Sequence, residues 1–225
     1  MRFPYGGPPG KLRPARSRRP RPLAPPAMAA ADPLRAPLDA PTLAAEYEAA
    51  LADAERLAGG LSEAQGRWRP RPGAWSVAEC LSHLATLNRP YARAFEAPIA
   101  QARIDGRRAR GPQRLSWFGR TFTRAMGPVT GKGLGRKLPA PPAATPPSDV
   151  TLAAALADFR ASQGEMLQRI RSAEGLDLDG VLVRSPAWGV LRFSLLTAFA
   201  ALAAHERRHL AQARRVTEAP GFPAG

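Results

Sequence analysis

The sequence predicts an all-α fold, a four-helix bundle with one long crossover connection and a disordered N-terminal extension. Apolar residues recur at three- and four-residue steps in four separated stretches, the period of helices with one buried face. Capping residues and Gly or Pro stops bracket those stretches. No segment shows a convincing strand alternation. The boundaries that follow are an extension over 1–40, a bundle over 41–217 containing a basic connection over 105–147, and a tail over 218–225.

Residues 1–40 are rich in Pro and Arg and carry almost no apolar periodicity, so they cannot offset their own ordering entropy. After the arginines no continuous apolar run of signal-peptide length follows, and Met28 is an equally good initiator. The first helix spans about Leu43 to Leu57, with Leu43, Tyr47, Leu51 and Ala54 on one face, Pro41 in its first turn and Gly59–Gly60 ending it. The second opens at a capping box, Ser76 with Glu79, and carries Cys80, Leu81, His83, Leu84 and Leu87. Pro90 and Pro98 should kink or end it.

Within the connection, Leu115, Trp117, Phe118 and Phe122 are expected to pack a short helix onto the bundle, leaving Gly127 to Pro147 exposed. A third helix is expected from about Asp149 to Ser172, started by Ser148 and Asp149. "GLDLDGVLVRSPAWG" turns the chain into a fourth, from about Leu191 to Val216.

Charge narrows the function classes. The net charge of +15 divides into +7 over residues 1–27, +9 over residues 103–137 and about −1 over the rest. The bundle is near neutral, so nucleic acid is not expected as a partner, although a basic N-terminal arm for nucleic acid or anionic lipid is the lesser reading of the extension. "GKGLGRK" at 131–137 lacks the spacing and the following Ser or Thr of a phosphate-binding loop. The single cysteine, Cys80, excludes an internal disulfide. The most apolar stretch, Leu191 to Ala204, is broken by Arg192 and Ser194 and falls short of a membrane span. A cytoplasmic protein is expected.

The three histidines are the informative residues. His205 and His209 lie one turn apart on one face of the fourth helix, with Ala198, Ala201, Leu202, Gln212 and Val216. Arg207, Arg208, Arg214 and Arg215 fall opposite. His83 lies on the inner face of the second helix with Ser76, Cys80 and Leu87. Buried imidazoles need partners for their nitrogens, and a shared cation would supply one. Core histidines bonded to backbone or water, or a surface pair, satisfy the same spacing.

"WRPRPGAWSVAECLSHLATLNRPY" and "SPAWGVLRFSLLTAFAALAAHERRHLAQARRV" together resemble the DinB-like (YfiT-like) family of bacterial metal-binding proteins. The resemblance rests on Trp75, Ser76 and Glu79 before His83, and on His205 and His209 followed by Gln212, across residues 40–217. It implies a four-helix bundle, often dimeric, with one divalent metal (Zn, Ni, Fe or Mn) held by His83, His205 and His209. Relatives often place a His where Ser185 precedes Pro186 here.

Other marked residues have simpler readings. Glu79 is a cap or a support to the metal ligands, and Gln212 a partner to an imidazole or a packing residue. Trp75 is a packing anchor, and Cys80 a small buried hydrophobe rather than a fourth ligand. The expected function is a metal-dependent thiol S-transferase or hydrolase acting on a small molecule, with a low-molecular-weight thiol as the co-substrate of the first. The alternative is a non-catalytic, stress-associated metal-binding protein.

Overall fold

Four long helices carry the fold of this chain, of which the structure, a computed structural model, describes residues 32–128 and 144–224. They are α1 (Ala40–Gly59), α3 (Val77–Ile104), α5 (Leu152–Ser172) and α6 (Leu195–Thr217), with short helices α2 (Glu63–Arg67) and α4 (Trp117–Met126) between them. The long helices ring the core in the order α1–α5–α3–α6, so α3 packs on α5 and α6 while α1 packs on the same two. The two helices that bear histidines are therefore neighbours. Among the described residues no helix is long and apolar enough to cross a membrane.

Local chemistry explains where each helix begins. Asp39 accepts from Thr42 N at 2.9 Å and starts α1 earlier than its apolar pattern suggests. Residues 32–40 thus belong in part to the fold: a 3-10 turn spans Pro33–Arg35 and Leu38 pairs with Gln113. The rest of the expected extension, 1–31, and the basic motif at 131–137 lie outside the described residues. At α3 the capping box forms as expected: Ser76 Oγ accepts from Glu79 N at 3.2 Å and Glu79 Oε2 from Ser76 N at 2.8 Å. Arg69 adds a two-pronged ion pair to Glu79, at 2.7 and 2.8 Å.

Five sequence expectations are corrected. First, α3 runs through Pro90 and Pro98 for 28 residues without ending. Both prolines, and Thr86 and Ala94 whose carbonyls lose their partners, are half-exposed, where water can substitute. Second, α5 starts at Leu152 behind a Thr151 cap, because Glu63 of α2 reaches across to accept from Leu152 N at 2.7 Å. Third, Arg192–Ser194, expected to begin the last helix, instead form β2, paired antiparallel with β1 (Leu182–Arg184) from the expected turn, and Val183 and Phe193 point inward. Fourth, Trp117 is 73% exposed, since α4 turns its small residues Gly119 and Thr123 toward the bundle. Fifth, Ala144 and Pro146, expected to be exposed, are buried. The tail also docks, with Phe222 edge-on to Trp68 at 5.5 Å and Gln65 Nε2 donating to Pro223 O at 2.9 Å.

Two outcomes follow. A Cβ at Gly66 would lie 2.6 Å from Leu152 Cβ and Cδ2. Gly66→Ala is therefore expected to cost about 1–3 kcal/mol net despite the better helix former, seen as a melting point several degrees lower. Burial raises the Glu79 carboxyl, but Arg69 and the Ser76 hydrogen bonds outweigh it and hold the carboxyl below its ordinary 4.5. Its stabilisation is therefore present above that value and lost as pH falls through it. Glu79→Gln should lower stability by roughly 1–3 kcal/mol at neutral pH, and the gap from wild type should close in denaturation curves taken at progressively lower pH.

Candidate metal centre

His83 enters the core from the second turn of α3, and His205 and His209 from successive turns of α6, where the two helices face each other. One nitrogen from each imidazole lies within 4.8 Å of the others, and all three residues are buried. His83 Nε2 and His205 Nε2 are 3.5 Å apart. Two nitrogens each about 2.0–2.1 Å from a tetrahedral ion sit roughly 3.4 Å apart, so this pair already has ligand spacing.

The ring orientations have identifiable causes. Ala144 O lies 2.6 Å from His83 Nδ1. A carbonyl can only accept, so Nδ1 carries the proton and Nε2 presents its lone pair to the other imidazoles. The long connection thus returns to the site to fix the His83 tautomer, which is why Ala144 is buried. Trp75 packs on two of the rings, its centroid 4.8 Å from His83 and 5.7 Å from His209. It is an anchor, as expected, but one set against the imidazoles themselves.

Burial governs the electrostatics. It lowers His83 despite the opposing pull of the Ala144 carbonyl. His205 is held well below the ordinary imidazole range by burial, then by His209, His83 and Arg208. Burial, with His83 and Arg208, brings His209 to about 3, while the Gln212 amide draws it upward. No hydrogen bond of ordinary geometry satisfies the buried His209 Nδ1. Three neutral imidazoles, one with an orphaned nitrogen, form a donor set that fits a borderline divalent cation. They fit a cluster of cations poorly.

The remaining candidates are sorted by geometry. Glu79 is engaged by Arg69 and Ser76, so its carboxylate caps α3. Cys80 is buried in an apolar cluster with Ala54 and Leu210, burial pushes its thiol far up, and it is not part of the histidine group. Ser185 Oγ is taken by Tyr91 Oη at 2.7 Å and by Trp188 N at 3.0 Å. The α6 arginines do not all face open water: Arg207 and Arg214 pair with Glu46 and Asp53 of α1. Half-buried Arg208 donates to Ala125 O at 3.4 Å, and its charge bears on His205 and His209.

Sequence reasoning missed the group behind His205. Glu206, fully buried, accepts from Asn88 Nδ2 at 2.8 Å and Gln163 Nε2 at 2.7 Å, tying α6 to α3 and α5. Burial lifts its carboxyl to about 8 against those two hydrogen bonds. In the sequence Glu206 stands in a charged run before Arg207 and Arg208, and nothing there distinguishes it from a solvated acid.

Comparison with known proteins agrees with the fold. A solved structure similar in fold is that of YfiT from Bacillus subtilis, a probable metal-dependent hydrolase with an unusual four-helix bundle topology. It is 13% identical, with a TM-score of 0.51, and the match covers 82% of this chain and 89% of that one. No curated protein sequence matches. The DinB superfamily profile matches residues 46–213, which include all three histidines, and the chain belongs to the DinB superfamily.

Proposed function

We propose that the chain is a metal-dependent enzyme in which His83, His205 and His209 hold one divalent ion, Zn, Ni, Fe or Mn, and that it hydrolyses a small molecule. The observation that carries this is the convergence of three neutral, buried imidazoles with no carboxylate or thiol in the cluster among the described residues. Structural zinc sites are closed by four protein ligands, whereas three leave room for a reacting molecule. When bound, such an ion supplies Lewis acidity, lowering the pKa of a water or thiol and polarising an ester or amide carbonyl.

The side chains then divide the work. His83 is held in one tautomer by Ala144 O, and Trp75 covers one side of the imidazole cluster. Arg208 contributes positive charge beside it, favouring substrates or transition states that carry negative charge. The likeness to YfiT supports hydrolysis by analogy of fold.

A second reading has its own observation. The cluster lacks a carboxylate that would serve as general base among the described residues. A low-molecular-weight thiol, ionised on binding a cation, needs none, and would make the protein a thiol S-transferase.

Elemental analysis of untagged protein should find about one divalent ion per chain, and His205→Ala should weaken metal affinity at least tenfold. Metal at a hundred times its Kd should raise stability by about 2.7 kcal/mol in wild type and much less in the variant. Metal-loaded protein should turn over a panel of small esters and amides, or electrophiles supplied with bacillithiol or mycothiol, and His209→Ala should abolish either activity. Metal bound without turnover would leave the non-catalytic binding protein, and a reconstituted wild type that holds no metal would end the reading altogether.

A further inference from the structure

An apolar cleft opens one helical turn from the imidazoles. Leu87 and Tyr91 of α3, Ala198 and Ala201 of α6, Phe122 of α4 and Trp188 before β2 enclose it. Leu87 stands four residues after His83 and Ala201 four before His205, each a step of about 6 Å along the same helix face. Trp75 packs at the other end, against His83 and His209. The histidine cluster therefore has Trp75 on one side and the cleft on the other.

The lining is almost wholly apolar. It contains no charged residue, and its one hydroxyl, on Tyr91, is already bonded to Ser185 at 2.7 Å. The free space is about 20 Å³, room for one small group, and half-exposed Met126 forms part of the wall. Methionine is unbranched and adaptable, so that wall can yield. Ala198 and Ala201 are 2% and 3% exposed, and larger side chains there would fill the cleft.

We propose that this cleft seats the apolar end of the molecule handled at the three-histidine site, so that the substrate carries a small alkyl group about one helical turn from its reactive group. The inference rests on the metal-centre reading, and Ala198, Ala201 and Phe122 are its specificity-determining residues. The cleft favours a small-molecule tail over a protein partner because it lies one helical turn from the imidazole cluster and is too narrow for a helix or strand.

Alkyl hydroxamates, which chelate divalent metals, are suitable probes. On metal-loaded wild type, calorimetry should show hexanohydroxamate binding roughly tenfold more tightly than acetohydroxamate, whose methyl is too short to reach the cleft. Ala201→Leu should remove that gain and leave acetohydroxamate binding unchanged. If that variant packs poorly, Phe122→Ser, on the half-exposed rim, should lower hexanohydroxamate affinity at least threefold with acetohydroxamate again unaffected. Equal affinities for the two hydroxamates in wild type, or a chain-length gain that survives both substitutions, would overturn the proposal. Metal content measured on the same samples separates the failures: metal present without a chain-length effect sinks the cleft alone, and no metal sinks the centre and the cleft together.

Discussion

Placing three imidazoles in an apolar interior without charging them is the constraint around which the rest of the molecule is arranged. Each ring has two nitrogens that water would otherwise satisfy, and burial removes the water. The structure answers with one carbonyl at His83, a close pair between His83 and His205, and an unsatisfied nitrogen on His209. A centre so arranged is incomplete in polar terms and open to a cation. The same burial that leaves the rings short of partners keeps them neutral and able to donate lone pairs.

Holding those rings in phase falls to polar contacts elsewhere on each helix. On α6, Glu206, the residue after His205, is gripped by two amides from α3 and α5, which fixes the rotation of the helix about its axis. Tyr47 of α1 donates to Phe199 O at 3.0 Å about two turns earlier. On α3, the doubly bonded Glu79 and the Arg69 contact with Ser148 O, at 2.8 Å, tie the helix start to the end of the long connection. That connection then delivers Ala144 to His83. Charged and polar groups at the edges thus set the angles at which neutral groups meet in the middle.

Much of this was legible in the sequence, for reasons that can be named. The α3 start was readable because a capping box is local chemistry within four residues. The pairing of His205 with His209 was readable because helix geometry is fixed, and the inward face followed from the alanines and leucines around them. The approach of His83 to that pair depends on α3 and α6 lying side by side, which no local pattern encodes; their ring nitrogens lie within 4.8 Å of one another. Ala144 was not legible, since a backbone carbonyl leaves no trace in residue type. Neither were the Glu63 cap on α5 nor the Glu206 network, which join residues 89 or more positions apart, or 43 in the nearest case. The small β1–β2 pair was missed because three-residue strands are too short to show alternation.

The ring order of the long helices has a bearing on how the protein is made. His83 and His205 are separated by 122 positions, and α5 must be threaded between them in time although not in space. While the ribosome has yet to deliver α6, α3 has no second imidazole to face and the part of its surface that packs on α6 lacks its neighbour. The three imidazoles therefore cannot meet in the nascent chain, and the cluster is completed only after the last long helix has docked.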